Sequence, residues 1–503
     1  MTKRMVIIGA GMAGLAAGCY ARMNGLEAEI YEAHSVAGGL CTAWKRGDYT
    51  FDGCLHWLTG AGPASPFHRF WNELGALKGR PMVMPECFYR FTASSGREVW
   101  FYSDADRLEA HLLEISPEDR KMIRDFCRLI RKFSRFSMPM DKPFELFGKP
   151  DIFRMILSMI PYGRDFRRLN SLTIRQYARG FRSPDIREAL QGLLMNTDSS
   201  LTAVVFTLAG LHDGSSGYPV GGSKPFALSI ADRFVSLGGH LHLSSPVRRI
   251  LVREGRAAGI ELEDGRQVEA DYVVAAGDLR RTLEGLLEGK YPSPVHRALF
   301  DTVPSYSSCV QVSLGLDRTF DQARSCVGEH LPLAEPLTIG SETLDRFTFR
   351  EYGMDPTLAP EGKTSAIVMF NSDDFAYWET LYRDREAYKK EKARLLAAAL
   401  KELERYYPGI SGQVEVSDVA TPMTYVRYAR TWHGKFMTWI TTPENSRTVQ
   451  ALPKTVPGVE NLYLSGMWLM APGGVPVGVK TSRDILQIIC RKEGRPFTVS
   501  EDR

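Results

Sequence analysis

Short apolar runs separated by glycine-bearing turns begin at the fifth residue. Met5 to Ile8 is too short for a helix and is bounded by glycine, which predicts a buried strand. Leu15 to Met23 continues as a small-residue helix that stops near Gly25, and Glu27 to Tyr31 predicts a second strand. The same grammar returns after residue 215. A helix over Pro225 to Leu237 ends at Gly238-Gly239, and strands follow at His240 to Leu243, Val247 to Glu254 and Ala258 to Glu263. Asp264-Gly265 is a hairpin-type turn, and Ala270 to Ala275 predicts a parallel strand buried on both faces.

Between these stretches the period changes. Residues 104 to 214 read mostly helical, with periodic apolar positions in Leu108 to Leu113 and Asp119 to Phe133. Residues 291 to 454 read mixed: strands at Ser307 to Leu316 and Ser365 to Asn371, and an amphipathic helix from Arg383 to Tyr406 stopped by Pro408-Gly409. No internal repeat or low-complexity tract is present. A chain of 503 residues exceeds the roughly 100 to 200 of one average domain, so two domains are predicted.

The first turn carries chemistry. Gly9-x-Gly11-x-x-Gly14 follows a strand and opens a helix: Gly9 permits the tight turn, Gly11 lets backbone approach a pyrophosphate, and Gly14 allows close helix-strand packing. Glu32 ends the second strand at the ~20-residue offset where an acid accepts hydrogen bonds from a ribose hydroxyl and repels a 2'-phosphate. A dinucleotide with a free ribose is the predicted ligand, and flavin and nicotinamide dinucleotides both fit this turn. No second G-x-G-x-x-G follows a strand, which argues against a dedicated nicotinamide domain.

The continuation selects between them. "YEAHSVAGGLCTAWKRGDYTFDGCLHWLTG" (31–60), "GYPVGGSKPFALSIADRFVSLGGHLHLSSPVRRILVREGRAAGIELEDGRQVEADYVVAAGD" (217–278) and "NLYLSGMWLMAPGGVPVGVKTSRDIL" (461–486) resemble, in order, the three flavin segments of the phytoene desaturase, carotenoid isomerase and retinol saturase group, within the flavin amine oxidase superfamily. The resemblance implies FAD as cofactor. It implies contacts from Gly9, Gly11, Ala13, Gly14, Glu32, Ala33, Gly38 and Gly39, from Val247 to the adenine, and from Gly466, Gly474 and Val475 along the ribityl chain and ring. It further implies a discontinuous, doubly wound (Rossmann-type) α/β flavin domain from residues 1–75, 215–290 and 455–495. The remaining residues, 76–214 and 291–454, would form a mixed α+β substrate domain with a helical, membrane-facing insertion. Two departures stand out: Leu40 follows Gly38-Gly39 where many relatives have arginine, with Lys45 and Arg46 as nearby substitutes, and Gly466-Met467-Trp468 stands where many flavoproteins place Gly-Asp.

By the same resemblance, the reaction is desaturation, saturation or cis-trans isomerisation of a long apolar isoprenoid or polyene. Its electron partner is left open among a quinone, oxygen and a reductant. Two further readings stay open: a flavin amine oxidase, and a non-catalytic lipid-binding protein in which flavin is structural. His56, in the segment after Phe51-Asp52, is the first catalytic candidate, since an imidazole with pKa near ~6.5 could move a proton opposite a hydride. A structural histidine is the alternative. His433, in "YARTWHGKFMTW" (428–439), is the second, with Lys435 beside it; Lys480 reads as a helix-face or phosphate-side residue.

Composition trims the remaining options. A net charge of +4 with interleaved signs gives no footprint for nucleic acid. Eight scattered cysteines, with no C-x-x-C and no Cys/His cluster at zinc spacing, predict a reducing compartment and no structural metal. No run reaches the ~18 apolar residues of a membrane span, so a cytoplasmic protein is expected. Residues 133–170 interleave Phe, Ile, Leu and Met with Arg and Lys, which suits an interfacial segment on anionic lipid at the inner face of a membrane. A core-facing helix with a solvated basic face is the alternative reading.

Overall fold

The strand Arg4–Ile8 sits in the interior of a nine-stranded sheet, and the chain keeps returning to that sheet. In this computed structural model, residues 2–194, 196–321, 326–449, 452–471 and 473–499 are described. Glu27–Tyr31 lies parallel on one side, followed by His240–His242; on the other side come Tyr272–Ala275 and Val459–Leu464, also parallel. Arg256–Leu262 and Val247–Arg253 close that edge as an antiparallel pair. The sheet thus gathers strands from three stretches far apart in sequence.

Three helices cover one face of this sheet. The first, Met12–Met23, is small-residue and buried from Met12 through Ala21. It packs against Phe226, Ala227, Ile230 and Phe234 of Ser223–Ser236, and against Ile485, Leu486 and Ile489 of Val475–Lys492.

A second sheet of seven strands runs in the order Val414–Ala420, Ser308–Leu316, Thr364–Ser372, Glu342–Glu351, Gly328–Ile339, Cys87–Thr92, Glu98–Tyr102. Its neighbours are antiparallel except Gly328–Ile339 beside Cys87–Thr92. One face is core: Val310, Val312, Leu314, Phe347, Phe349, Val368 and Phe370 bury against Leu395, Ala399 and Leu403 of the helix Arg385–Tyr406. That helix begins two residues later than its periodicity predicts, because Asp384 caps it by accepting from the N–H groups of Glu386 and Ala387, each at 3.1 Å. The long hairpin Gly328–Ile339/Glu342–Glu351 is not foreseen by pattern, since Pro332 and Pro336 interrupt its alternation and the register breaks between Pro332 and Leu337.

The helical region packs its own core from Leu108, Ile123, Phe126, Ile130, Phe133, Val204 and Leu208 against Phe88 and Phe91 of the second sheet. Within 133–170 the two readings divide. Phe136 is packed, with its ring 4.9 Å from Tyr162 and 5.7 Å from Phe206. The helix Lys149–Met159, by contrast, has no buried residue at all. Phe153 is 62% exposed and Ile160 just beyond it 67%, beside exposed Phe144, Ile152, Ile156 and Leu157. The core-facing alternative therefore fails for this helix: its apolar face is turned outward. Among the described residues no helix is long and apolar enough to cross a membrane.

Candidate functional site

The opening turn is fixed by sterics. Gly9 has φ +94° and donates its N–H to Tyr31 O at 2.8 Å. A Cβ on Gly14 would lie 1.8 Å from Gly9 O, so the helix starts against the turn only because residue 14 has no side chain. At Gly11 the reverse holds: a Cβ there would meet nothing within 4 Å, so this backbone borders open space.

Gly11 is also the N-cap of Met12–Met23, and Gly474 the N-cap of Val475–Lys492; neither helix has a side-chain cap or an acid in its first turn. The two helices meet at these ends. Ser482 Oγ donates to Ala13 O at 2.6 Å, and a Cβ on Gly478 would touch Ala13 Cβ at 3.4 Å. Two sets of unpaired N–H groups and two positive dipole ends converge, which is a cradle for an anionic pyrophosphate.

The other predicted cofactor residues gather round it. Gly38 N–H donates to Ala10 O at 2.8 Å, laying the Gly38-Gly39 loop over Gly11. Glu32, followed by Ala33, accepts from Ala10 N–H at 2.6 Å and from His34 N–H at 2.8 Å. A carboxylate has about four acceptor positions, so two stay available for a ribose diol. Ser245 N–H donates to Glu32 O at 2.7 Å, which draws the edge strand beginning at buried Val247 to the same strand end. Ser465 N–H donates to Ala275 O at 2.9 Å, and Gly466 (φ +138°) donates to Thr481 Oγ1 at 3.1 Å, bringing the last segment alongside. The residues present fit a flavin dinucleotide.

Three further positions singled out in the sequence find their places. Lys45 and Arg46 are exposed on the strand Ala43–Arg46, and Arg46 pairs with Asp418 at 3.0 Å, so neither replaces the missing arginine. Trp468 is buried, 4.8 Å from the Trp439 ring, so packing occupies the place of an acidic contact. Lys480 is buried and paired with Asp484 one helical turn on, within a network that includes Lys454.

The second face of the seven-stranded sheet looks toward this domain, as Gln311 shows by donating through Nε2 to Asp52 O at 2.9 Å. Alternation places Cys309, Gln311 and Ser313, then Ile367 and Met369, then Thr348 and Arg350, with His330 and Tyr89, on this face. Asp52 is wholly buried and accepts from Ser223 N–H at 2.6 Å, Ser223 Oγ at 2.5 Å and Cys54 N–H at 2.9 Å; burial nonetheless holds its carboxyl above the usual carboxylate range.

His56 lies in this region and makes no hydrogen bond within the described protein. Burial, then the positive charge of Arg350, push its pKa down to about 3, and burial does the same to His330. This is well below the ~6.5 of a free imidazole, so the surroundings of His56 favour its neutral form. Its neighbour Arg350 is 2% exposed, with its guanidinium 4.5 Å from the Tyr352 ring and 5.2 Å from the Tyr218 ring. Period-2 alternation in "LDRFTFRE" was the signal that could have singled it out.

Stability inherits a pH dependence from these histidines. Unfolded, each takes a proton near ~6.5; folded, only near 3, so the unfolded state binds more protons between those values. Stability thus falls as pH drops through that window and is fully present above it. We expect His56→Asn and His330→Asn to lose less stability than the parent between pH 7.5 and 4.5 in urea titrations; equal losses would contradict this.

His433 sits elsewhere. It stacks between Trp432, at 4.0 Å, and Phe375, at 4.3 Å. With Arg280, Asp373, Lys435 and Trp468 it lines a cavity of about 270 Å³ at the C-terminal ends of the parallel strands. Lys435 is buried and paired with Asp373. Burial, and then Lys435, lower the His433 pKa. The structure does not bring His433 and His56 together in one cluster.

Three relatives match along most of the chain. A phytoene desaturase (lycopene-forming) of Pseudescherichia vulneris is 26% identical, over 84% of this chain and 86% of its own. A chloroplastic prolycopene isomerase of Arabidopsis thaliana is 23% identical, over 84% and 72%. An all-trans-retinol 13,14-reductase of Danio rerio is 22% identical, over 96% and 85%. The sequence pattern of the flavin containing amine oxidoreductases matches residues 12–486. With the three converging segments already described, the chain belongs to that flavin-dependent family.

Proposed function

We propose that the protein is an FAD-dependent oxidoreductase that desaturates, saturates or isomerises carbon-carbon bonds of a long apolar substrate of the isoprenoid or polyene type. The observation that carries this reading is the similarity, over at least 84% of the chain, to three proteins named for those three reactions. When bound, the flavin supplies hydride chemistry at its N5. Gly9, Gly11, Ala13, Gly14, Glu32, Ala33, Gly38, Gly39, Val247, Gly466, Gly474 and Val475 hold it, with the two helix N-termini on its phosphates.

The residues facing it suit such a substrate. Cys309, Ile367 and Met369 make this face of the sheet apolar, Ile367 and Met369 packing with Tyr218 and Tyr352, and the Asp52 carboxylate is consumed by its own hydrogen bonds. His56, neutral, orients substrate from the sheet-facing side rather than acting as an imidazolium acid. The flavin amine oxidase reading fares worse here, because the Arg350 guanidinium opposes an ammonium ion on the same face. Incubating the protein with liposomes carrying polyenes, then separating extracted products by mass and geometry, tests the proposal. A product two hydrogens lighter or heavier, or a new isomer, is expected. Unchanged polyenes together with peroxide released from amines would overturn it, and unchanged polyenes with no response to amines would leave the lipid-binding reading.

The outward apolar face of Lys149–Met159 is the entry from lipid. Arg135, Lys149, Arg154, Arg164 and Arg167 flank it and form no ion pair among the described residues, which matches an anionic bilayer surface. Burying a Phe or Ile side chain is worth about 1.5–3 kcal/mol, so the double change Phe153→Ser, Ile156→Ser should weaken vesicle partitioning at least ~10-fold. Flotation with anionic liposomes measures this; unchanged flotation would remove the segment from membrane contact.

A further inference from the structure

Arg350 poses a problem that the proposed hydrocarbon chemistry does not solve. A guanidinium stays charged at every relevant pH, and burying one is costly unless its N–H groups and its charge find partners. Here the guanidinium makes no hydrogen bond to the described protein, and Nε and Nη1 are enclosed without acceptors. No carboxylate of the described residues lies within ion-pairing distance. Asp52, whose carboxyl Arg350 favours in its charged form, accepts instead from Ser223, Cys54 and the Tyr218 hydroxyl.

The surroundings are neutral groups rather than counter-ions. Tyr218 and Tyr352 stack on the guanidinium, and burial keeps both phenols protonated. His330 on the neighbouring strand leaves Nε2 enclosed without a partner, and His56 has no hydrogen bond either. Cation–π contact offsets part of the desolvation but supplies no acceptor for the N–H groups. An unpaired positive centre, ringed by neutral groups and set on the sheet face turned to Asp52, lacks an anionic oxygen.

We propose that Arg350 recognises a carboxylate at one end of the long apolar substrate, so that the physiological substrate is a polyene or isoprenoid acid rather than a pure hydrocarbon. This rests on the reading of the same face as the substrate site. Arg350 is then a specificity-determining residue: its charge anchors the polar end of the substrate.

The test is an anaerobic titration of the flavin spectrum of the holoprotein at pH 8 with all-trans-retinoic acid, its methyl ester and β-carotene, each in neutral lipid vesicles. The acid is expected to bind at least ~10-fold more tightly than the ester in the parent protein. Arg350→Met should collapse the acid-to-ester ratio to within about twofold, and Arg350→Lys should restore part of it. Flavin content reports folding of the variants, and should Arg350→Met fail to fold, the acid-to-ester ratio of the parent decides alone. Equal binding of acid and ester, or a ratio untouched in Arg350→Met, overturns the carboxylate while leaving the polyene reading standing. If none of the three perturbs the flavin, both fall.

Discussion

Gly11→Leu yields a folded protein that has lost its cofactor. Most glycine substitutions in this turn confound two effects, because residue 14 touches the backbone of Gly9 and residue 9 needs a positive φ. Gly11 escapes both: its φ is not left-handed, and a Cβ would meet no protein atom within 4 Å. A leucine there projects into the space that the converging helix ends leave for the pyrophosphate. Overpacking of this kind costs about 1–3 kcal/mol, which weakens flavin binding by ~5- to 150-fold. The check is the flavin-to-protein absorbance ratio after purification, alongside far-ultraviolet circular dichroism. Full flavin content in the variant would remove this turn from the cofactor site; lost helicity would show that Gly11 is structural after all.

The largest stability effect is expected at Glu73. Its carboxylate is 1% exposed and accepts from Arg483 Nε at 2.9 Å, Arg483 Nη2 at 3.1 Å, Tyr20 Oη at 2.7 Å and Arg69 Nε at 2.8 Å. Arg483 is itself buried, between the rings of Phe70 and Phe497, each at 5.0 Å. This knot ties the helix Pro66–Glu73 to the first and last helices of the flavin domain. Removing one partner of a buried pair leaves an uncompensated charge and costs about 3–5 kcal/mol, whereas replacing both by apolar groups is often neutral or stabilising. Glu73→Ala should therefore lose that much by urea unfolding, and Glu73→Leu with Arg483→Met should recover most of it. A single variant within 1 kcal/mol of the parent would contradict the account.

The cofactor half of the site was legible because its chemistry is backbone chemistry. Gly9, Gly11 and Gly14 are demanded by φ, by an approaching phosphate and by a 1.8 Å clash, and such constraints are written at fixed spacing in the chain. The substrate half was not. His56 was visible as a residue, but its charge state depends on Arg350, about three hundred positions away and on the other sheet. Arg350 itself lies in a strand whose alternation marks its face, but the chain alone does not say that this face turns toward Asp52 and His56 rather than toward solvent. In 133–170, composition could not separate Phe136, which packs inward, from Phe153, which faces out, because both belong to the same mixture of apolar and basic residues.

The most direct test of the central claim is an anaerobic flavin spectrum of the purified holoprotein mixed with vesicles carrying polyenes and isoprenoids. At least one compound is expected to bleach the oxidised band, to reoxidise chemically reduced flavin, or to emerge as a new geometric isomer only when flavin is bound. A flavin that no such compound reduces or reoxidises, with no isomer formed, would contradict it.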